Sequence, residues 1–134
     1  MKITGVSLER WRVPPHREIR DAVQQMEAVE VVAATLETDE GVSGSGFTYT
    51  IGRGGESVLK LLETEVAPRL IGRDPLRFEE VSHALWWDLH WVGRGGVSQL
   101  AVSAVNIAVW DLFGKCQGEP VWRLLGGARE EVEL

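Results

Sequence analysis

Two stretches of this chain gather side chains that can grip an anion. The first holds His16, Arg17 and Arg20, preceded by Arg10 and Arg12; the second holds Tyr49, Arg53, Gly54 and Gly55. Arginine presents a planar fork of N–H donors that matches a carboxylate bidentately. Tyr49 can offer a hydroxyl to a polyhydroxy compound, and the neighbouring glycines can hinge a closing loop. Each group also has an ordinary reading. The first is a solvated loop with local positive charge, and the second a strand-end aromatic followed by a Gly-rich turn before a helix. Length favours a working role. Residues 14–27 and 48–55 separate the patterned segments, and a long connection inside a small domain is uncommon unless it serves as a lid or binding loop.

The other reactive side chains are less favourably arranged. Asp39/Glu40, Glu79/Glu80 and Glu130/Glu131 are adjacent pairs. Neighbours in a strand point to opposite faces and in a helix diverge, so these read as turn and surface charge. His83 and His90 lie seven apart on one predicted helix, whereas a shared metal favours i, i+4 spacing; they read as structural or surface residues. Cys116 falls near a predicted helix C-terminus, where the dipole disfavours a thiolate. Five of the six tryptophans lie between Trp86 and Trp122. They could stack on sugars, but their helical placement points first to packing, within the domain or against a neighbour. Gly93-Arg94-Gly95-Gly96 lacks the spacing of a phosphate loop and reads as a helix-entry turn. No residue of the chain reads as catalytic or metal-ligating.

The elements that must position these groups follow from periodicity. Residues 2–13 read as a strand stopped by Pro14-Pro15. Residues 29–38 form a second strand, Asp39-Glu40-Gly41 a tight turn, and residues 42–49 a third strand paired to the second as a hairpin. Gly44 and Gly46 in that strand imply a bulge or a close backbone approach. Val58, Leu59, Leu62, Val66 and Leu70 recur at helical spacing, with Pro68 distorting the final turn. Asp74 suits an N-cap and Pro75 the first position of a helix burying Phe78, Val81, Leu85 and Leu89. Residues 97–117 are apolar nearly all round, which predicts a helix at the domain centre ending at Gly118. Pro120 opens a last short turn closed by Gly126-Gly127. Three strands and then three helices make an α+β fold, an antiparallel meander followed by a helix bundle.

The 134 residues suit one domain, and 44% hydrophobic content supports a core. A net charge of −6 argues against a nucleic-acid partner. The lone cysteine and the absence of an apolar leader point to a reducing cytoplasm. The uncharged run over residues 95–110 is shorter than the roughly 20 residues of a spanning helix and reads as a buried helix, so no membrane partner is expected.

Three spaced motifs carry a resemblance: Thr38-Asp39-Glu40-Gly41-Val42-Ser43-Gly44, Leu70-Ile71-Gly72-Arg73-Asp74-Pro75, and Pro120-Val121-Trp122-Arg123-Leu124-Leu125-Gly126-Gly127. With the run over residues 103–127, they resemble the N-terminal capping domain of the enolase superfamily, in its mandelate racemase/muconate lactonizing enzyme branch. Gly46-Phe47-Thr48-Tyr49 followed by Arg53-Gly54-Gly55 is most similar to acid-sugar dehydratases of the galactarate/talarate type. Asn106 departs from the pattern, since relatives often carry Asp there; the change removes a charge from a helix expected to be buried.

The resemblance implies a domain over residues 1–127, with residues 128–134 starting the link into a modified TIM barrel of about 250 residues that this chain lacks. It implies an Mg²⁺-dependent parent enzyme, a dehydratase or a racemase/epimerase, that removes the proton α to a carboxylate. The metal and the acid/base groups would lie on that barrel, none on this chain, which alone would be inactive. His16, Arg17, Arg20, Tyr49, Arg53, Gly54 and Gly55 would then line lid loops over the barrel mouth and choose the substrate, a small carboxylic acid or acid sugar. The implied partners are the chain's own barrel and further copies in a homo-oligomer. The competing expectation is a stand-alone binding or oligomerisation module using the Trp-rich helices.

Overall fold

The computed structural model describes residues 1–129 and 131–132. Glu130, Glu133 and Leu134 lie outside the described residues, and with them part of the Glu130/Glu131 pair and of the segment 128–134. The strands are β1 (Ile3–Val13), β2 (Ile19–Arg20), β3 (Gln25–Met26), β4 (Val29–Thr38) and β5 (Ser43–Ile51). The helices are α1 (Gly55–Leu61), a π turn (Leu62–Val66), α2 (Ala67–Leu70), α3 (Phe78–Asp88), α4 (Val97–Gln117) and α5 (Val121–Leu124). β1, β4 and β5 form one antiparallel sheet in that order, and β2 and β3 a separate small hairpin inside the first long connection. The α+β meander and the helices that follow it agree with the sequence pattern. The small hairpin was not legible, because two-residue strands carry no alternation to read.

Strand alternation divides the sheet into two faces. Glu30, Val32, Ala34, Leu36 and Thr38 of β4 point inward and are buried. The inner face meets α4, whose Ala101, Ala104, Val105, Ala108, Val109 and Leu112 are buried against it. Gly44 and Gly46 explain how close that meeting is. A Cβ on either would collide with α4 backbone, the Ala108 carbonyl in one case and the Ala104 carbonyl in the other. Glycine weakens a strand, and here that cost is offset by letting a strand lie directly on helix backbone faced by Ala104 and Ala108. Val58, Leu62, Val66 and Leu70 from the first helical segment, and Val81, Leu85 and Leu89 from α3 and its C-terminal flank, complete one core.

Four local details correct the sequence-based expectations. The distortion expected at the end of the first helix lies a turn earlier. Pro68 has no N–H, and its ring would press on the carbonyl four residues back. The π turn, in which the Ala67 N–H reaches the Leu62 carbonyl, accommodates it. Asp74 does not cap α3. Its Oδ1 accepts the Leu76 N–H at 3.0 Å, closing a turn that Arg77 (ψ 52°) breaks before the helix starts at Phe78. Asn106 is half-buried and donates to Ser82 Oγ at 3.0 Å, linking α4 to α3. His83 and His90 do not share one helix, because α3 ends at Asp88.

Helix α4 ends where the sequence predicts. Gly118 takes φ 65°, with Gly118 N–H on the Lys115 carbonyl and Glu119 N–H on the Gly114 carbonyl, a Schellman closure. By length and composition α4 is apolar enough to cross a membrane. Its apolar side chains mostly serve the core, although Ile107 and Val97 reach the surface.

Candidate functional site

The two connections flagged in the sequence meet at one end of the sheet, but the second is not long: β5 continues through Thr48 and Tyr49 to Ile51 and α1 starts at Gly55, which leaves residues 52–54 as a short turn. The β2–β3 hairpin and the turn after β5 wall a polar groove of about 250 Å³ lined by Gln24, Gln25, Glu27, Ile51, Gly52 and Arg53. A smaller recess of about 90 Å³ next to it is lined by Ile19, Arg20, Asp21, Gln24, Met26 and Ile51. Asp21 shapes the hairpin tip: its Oδ1 accepts the N–H groups of Val23 and Gln24 at 2.7 and 2.8 Å. Those bonds, Gln24 first, hold the Asp21 carboxyl below its ordinary range.

The sequence candidates divide by position. Arg53 and Arg20 line the groove and its recess. His16 and Arg17 are exposed in the loop before the hairpin and line neither. Tyr49 is exposed on the outer face of the sheet, two residues before Ile51 and so on the same face. Gly54 takes φ 97° just before α1, a backbone that only glycine adopts easily. Gly55 is buried in the first turn of α1, where a Cβ would press on Glu30.

Arg10 and Arg12 project toward the inner face, and Arg10 is committed. Its Nη1 donates to Glu30 Oε1 at 2.9 Å, and its Nε lies 3.0 Å from Glu56 Oε2. Glu30 is the residue that sequence reasoning passed over. The missed signal is phase: in Val29-Glu30-Val31-Val32-Ala33-Ala34, Glu30 falls on the inward set with Val32 and Ala34. A carboxylate there must find donors. Besides Arg10, it accepts Gly55 N–H at 2.9 Å and Thr50 Oγ1–H at 3.2 Å. The Gly55 N–H chiefly holds the Glu30 carboxyl below its usual range, aided by Thr50, Arg10 and Arg12 and opposed by burial.

A depressed folded-state pKa gives the sign of a pH dependence. The stabilisation from Glu30 is complete above its ordinary value of 4.5 and is lost as pH falls through the lower folded value. The Tm difference between the wild-type chain and Glu30→Gln is therefore expected to shrink as pH is lowered from about 7 to about 3. Parallel Tm curves over that range would refute the carboxylate's role.

Outside the groove, some aromatic residues pack within the domain and others are exposed. Trp110 packs against Phe78 in a tilted arrangement, with ring centroids 4.7 Å apart. Trp87 and Trp91 are exposed, at 54% and 94%. Trp87 Nε1–H donates to His83 Nε2 at 2.9 Å. Arg94 Nη2 lies 2.8 Å from His90 Nδ1; arginine only donates, so Nδ1 accepts. The outer sheet face holds an apolar hollow of about 290 Å³ bounded by Trp11, Val31, Ala33, Ser45, Gly46 and Phe47.

The donor set does not fit a divalent cation. Among the described residues no group of three or more His, Cys, Asp or Glu could hold a metal. The one buried carboxylate among them, Glu30, already has both oxygens on donors.

Comparison with known proteins adds the following. Residues 3–126 match the family model for the mandelate racemase/muconate lactonizing enzyme N-terminal domain. The chain is 35% identical over 126 residues to 3,6-anhydro-alpha-L-galactonate cycloisomerase of Streptomyces coelicolor, covering 93% of this chain and 35% of that protein. It is 33% identical over 105 residues to L-talarate/galactarate dehydratase of Salmonella typhimurium, covering 78% of this chain and 26% of that one. The structure of that Salmonella enzyme with Mg and L-lyxarohydroxamate superposes with a TM-score of 0.91 at 30% identity, over 98% of this chain and 35% of that chain. The chain thus spans about a third of the length of these relatives.

Proposed function

Because this chain belongs to the mandelate racemase/muconate lactonizing enzyme family of the enolase superfamily, as its N-terminal domain, we propose that it caps the active site of an Mg²⁺-dependent enzyme and selects its substrate. The parent reaction is removal of the proton α to a carboxylate, in an acid-sugar dehydratase or a racemase/epimerase of the cytoplasm. A relative named as an acid-sugar dehydratase, a cycloisomerase, a structure named as a racemase with bound magnesium, and a talarate dehydratase structure with Mg and L-glucarate support this reading. The metal and the base would belong to the parent's barrel, and among the described residues no three His, Cys, Asp or Glu side chains gather to hold a metal.

The observation that carries the capping role is the convergence of residues 24–27 and 51–53 on one polar groove, with the exposed Arg53 on its wall. An arginine there can hold a substrate carboxylate by a charge-assisted bond, while Gln24 and Gln25 offer donors and acceptors to hydroxyl groups. Closing such segments over a barrel mouth would also exclude water. In the complete enzyme, Arg53→Ala is expected to lower kcat/KM for acid sugars by roughly 10- to 100-fold, as for loss of a charged hydrogen bond. Arg53→Lys should retain part of it, and the ranking of substrates should change. Unaltered kinetics across a panel of acid sugars, for both Arg53→Ala and Tyr49→Phe, would overturn the reading.

A second reading draws on the exposed apolar side chains Trp11, Phe47, Ile51, Trp87 and Trp91. A self-sufficient binding or assembly module would use such surface itself. Light scattering and dye binding on residues 1–134 separate the two. Self-association or strong dye binding is expected for a domain lacking its barrel, and a monomer silent to hydrophobic dyes would favour the module.

A further inference from the structure

The groove is only as well defined as the segments that wall it, and one carboxylate ties their roots together. Four stretches of chain enter or leave those segments: the end of β1, the start of β4, the end of β5 and the first turn of α1. Glu30 stands at the start of β4 with its side chain 9% exposed. Its Oε1 takes the Arg10 guanidinium of β1 at 2.9 Å. Its Oε2 takes Thr50 of β5 at 3.2 Å and the Gly55 N–H of α1 at 2.9 Å. Thr50 and Gly55 flank the Ile51-Gly52-Arg53-Gly54 turn on both sides, so the carboxylate staples that turn at its base. Gly52 and Gly54 have φ of 71° and 97°. Without the staple, these two glycines would give the turn wide freedom.

We propose that Glu30 is a positioning residue that fixes the 51–54 turn, and with it Arg53, against the β2–β3 hairpin, so that the groove is preformed before substrate arrives. The proposal rests on the reading that Arg53 meets the substrate. It assigns to Glu30 no contact with substrate and no proton transfer. Glutamine at this position keeps the size but loses the charge that holds Arg10, and its NH₂ faces a donor.

The test is a double-mutant cycle in the complete enzyme. Glu30→Gln is expected to lower kcat/KM by roughly 10- to 100-fold, the scale of a misplaced binding group. Glu30→Gln combined with Arg53→Ala should be no worse than Arg53→Ala alone, because both remove the same interaction. Thr50→Val, which removes one donor and keeps the core volume, should give a smaller loss in the same direction. Hydrogen exchange supplies a readout independent of turnover: in Glu30→Gln the Gly55 amide and residues 52–54 should exchange faster, while the α4 amides keep their protection. Losses that multiply in the double variant, or exchange that rises equally throughout α4, would mean that Glu30 merely supports the fold and would overturn the proposal. If Arg53→Ala alone is kinetically silent, the substrate-contact reading fails and takes this one with it. If Arg53→Ala is impaired but Glu30→Gln is not, only the positioning role fails.

Discussion

Replacing Gly46 with valine is expected to cost the domain about 3 kcal/mol or more, lowering Tm by about 10 °C or leaving too little folded protein to measure. The reason is the nature of the obstacle. A Cβ at Gly46 overlaps the Ala104 carbonyl and the Ala108 amide nitrogen, and comes within 2.9 Å of Ile107 Cβ. Two of these are helix backbone atoms, which cannot rotate away as a side chain end can. Relief requires lifting α4 from β5, and that exposes Val105, Val109 and Leu112, all buried in the core. Two controls isolate the effect. Gly41→Ala meets nothing within 4 Å but sits at φ 76°, so it should cost only the left-handed strain of about 1–2 kcal/mol. Gly95→Ala meets nothing within 4 Å and has no positive φ; it should be neutral or gain a few tenths of a kcal/mol. Urea unfolding of the three variants checks the ranking. A Gly46→Val chain as stable as Gly95→Ala would mean that α4 and β5 do not meet as described.

That close approach was legible from Gly44 and Gly46, because glycines at alternate positions of a strand strip one face of side chains and let another backbone press against it. The limits of β4 and the span of α4 were equally legible, since a long uniform period leaves little choice of register, whereas β5 runs two residues past its expected end at Tyr49. Asp74 shows where such reading fails. Asp-Pro is a good helix start by type, and the first turn does form, but Arg77 leaves helical geometry and α3 begins at Phe78. Phe78 then packs against Trp110, a tertiary contact that local propensity does not encode. Pro68 shows the same limit: the residue announced a distortion, and the backbone absorbed it upstream as a π turn.

For the site, the sequence marked the first segment by length and both by arginine, while the length expected of the second fails because β5 runs on to Ile51; the groove joins Arg53 to residues 24–27 of the other segment. What it could not mark is which arginine is already paired among the described residues. Arg10 and Arg53 look alike as letters, but Arg10 is tied to Glu30 and Glu56. The distinction depends on partners twenty or more residues away in sequence. Glu30 itself was detectable by its phase in β4, but charge on an inward strand position is easily taken for a frayed strand end.

Residues 1–134 by themselves are expected to turn over no acid sugar above background with Mg²⁺ present, a loss of the whole enzymic acceleration, roughly 10⁶-fold or more. Abstracting a proton α to a carboxylate needs a base within hydrogen-bond reach and a cation or donor set for the developing charge. The described residues assemble no cation site for that charge. No cluster of three metal-binding side chains exists among them. The guanidinium groups of Arg53, in the groove, and Arg20, in its recess, act only as hydrogen-bond donors. His83 and His90 each accept a hydrogen bond near the far end of α3, from Trp87 and Arg94. Incubating the purified chain with Mg²⁺ and a panel of acid sugars, alongside a melting curve showing that it is folded, makes the test decisive. Turnover by a folded chain would place a base on this domain and overturn the capping role. A folded, inactive chain, set against a complete enzyme whose substrate ranking responds to Arg53, would locate chemistry and selection on different parts of one protein.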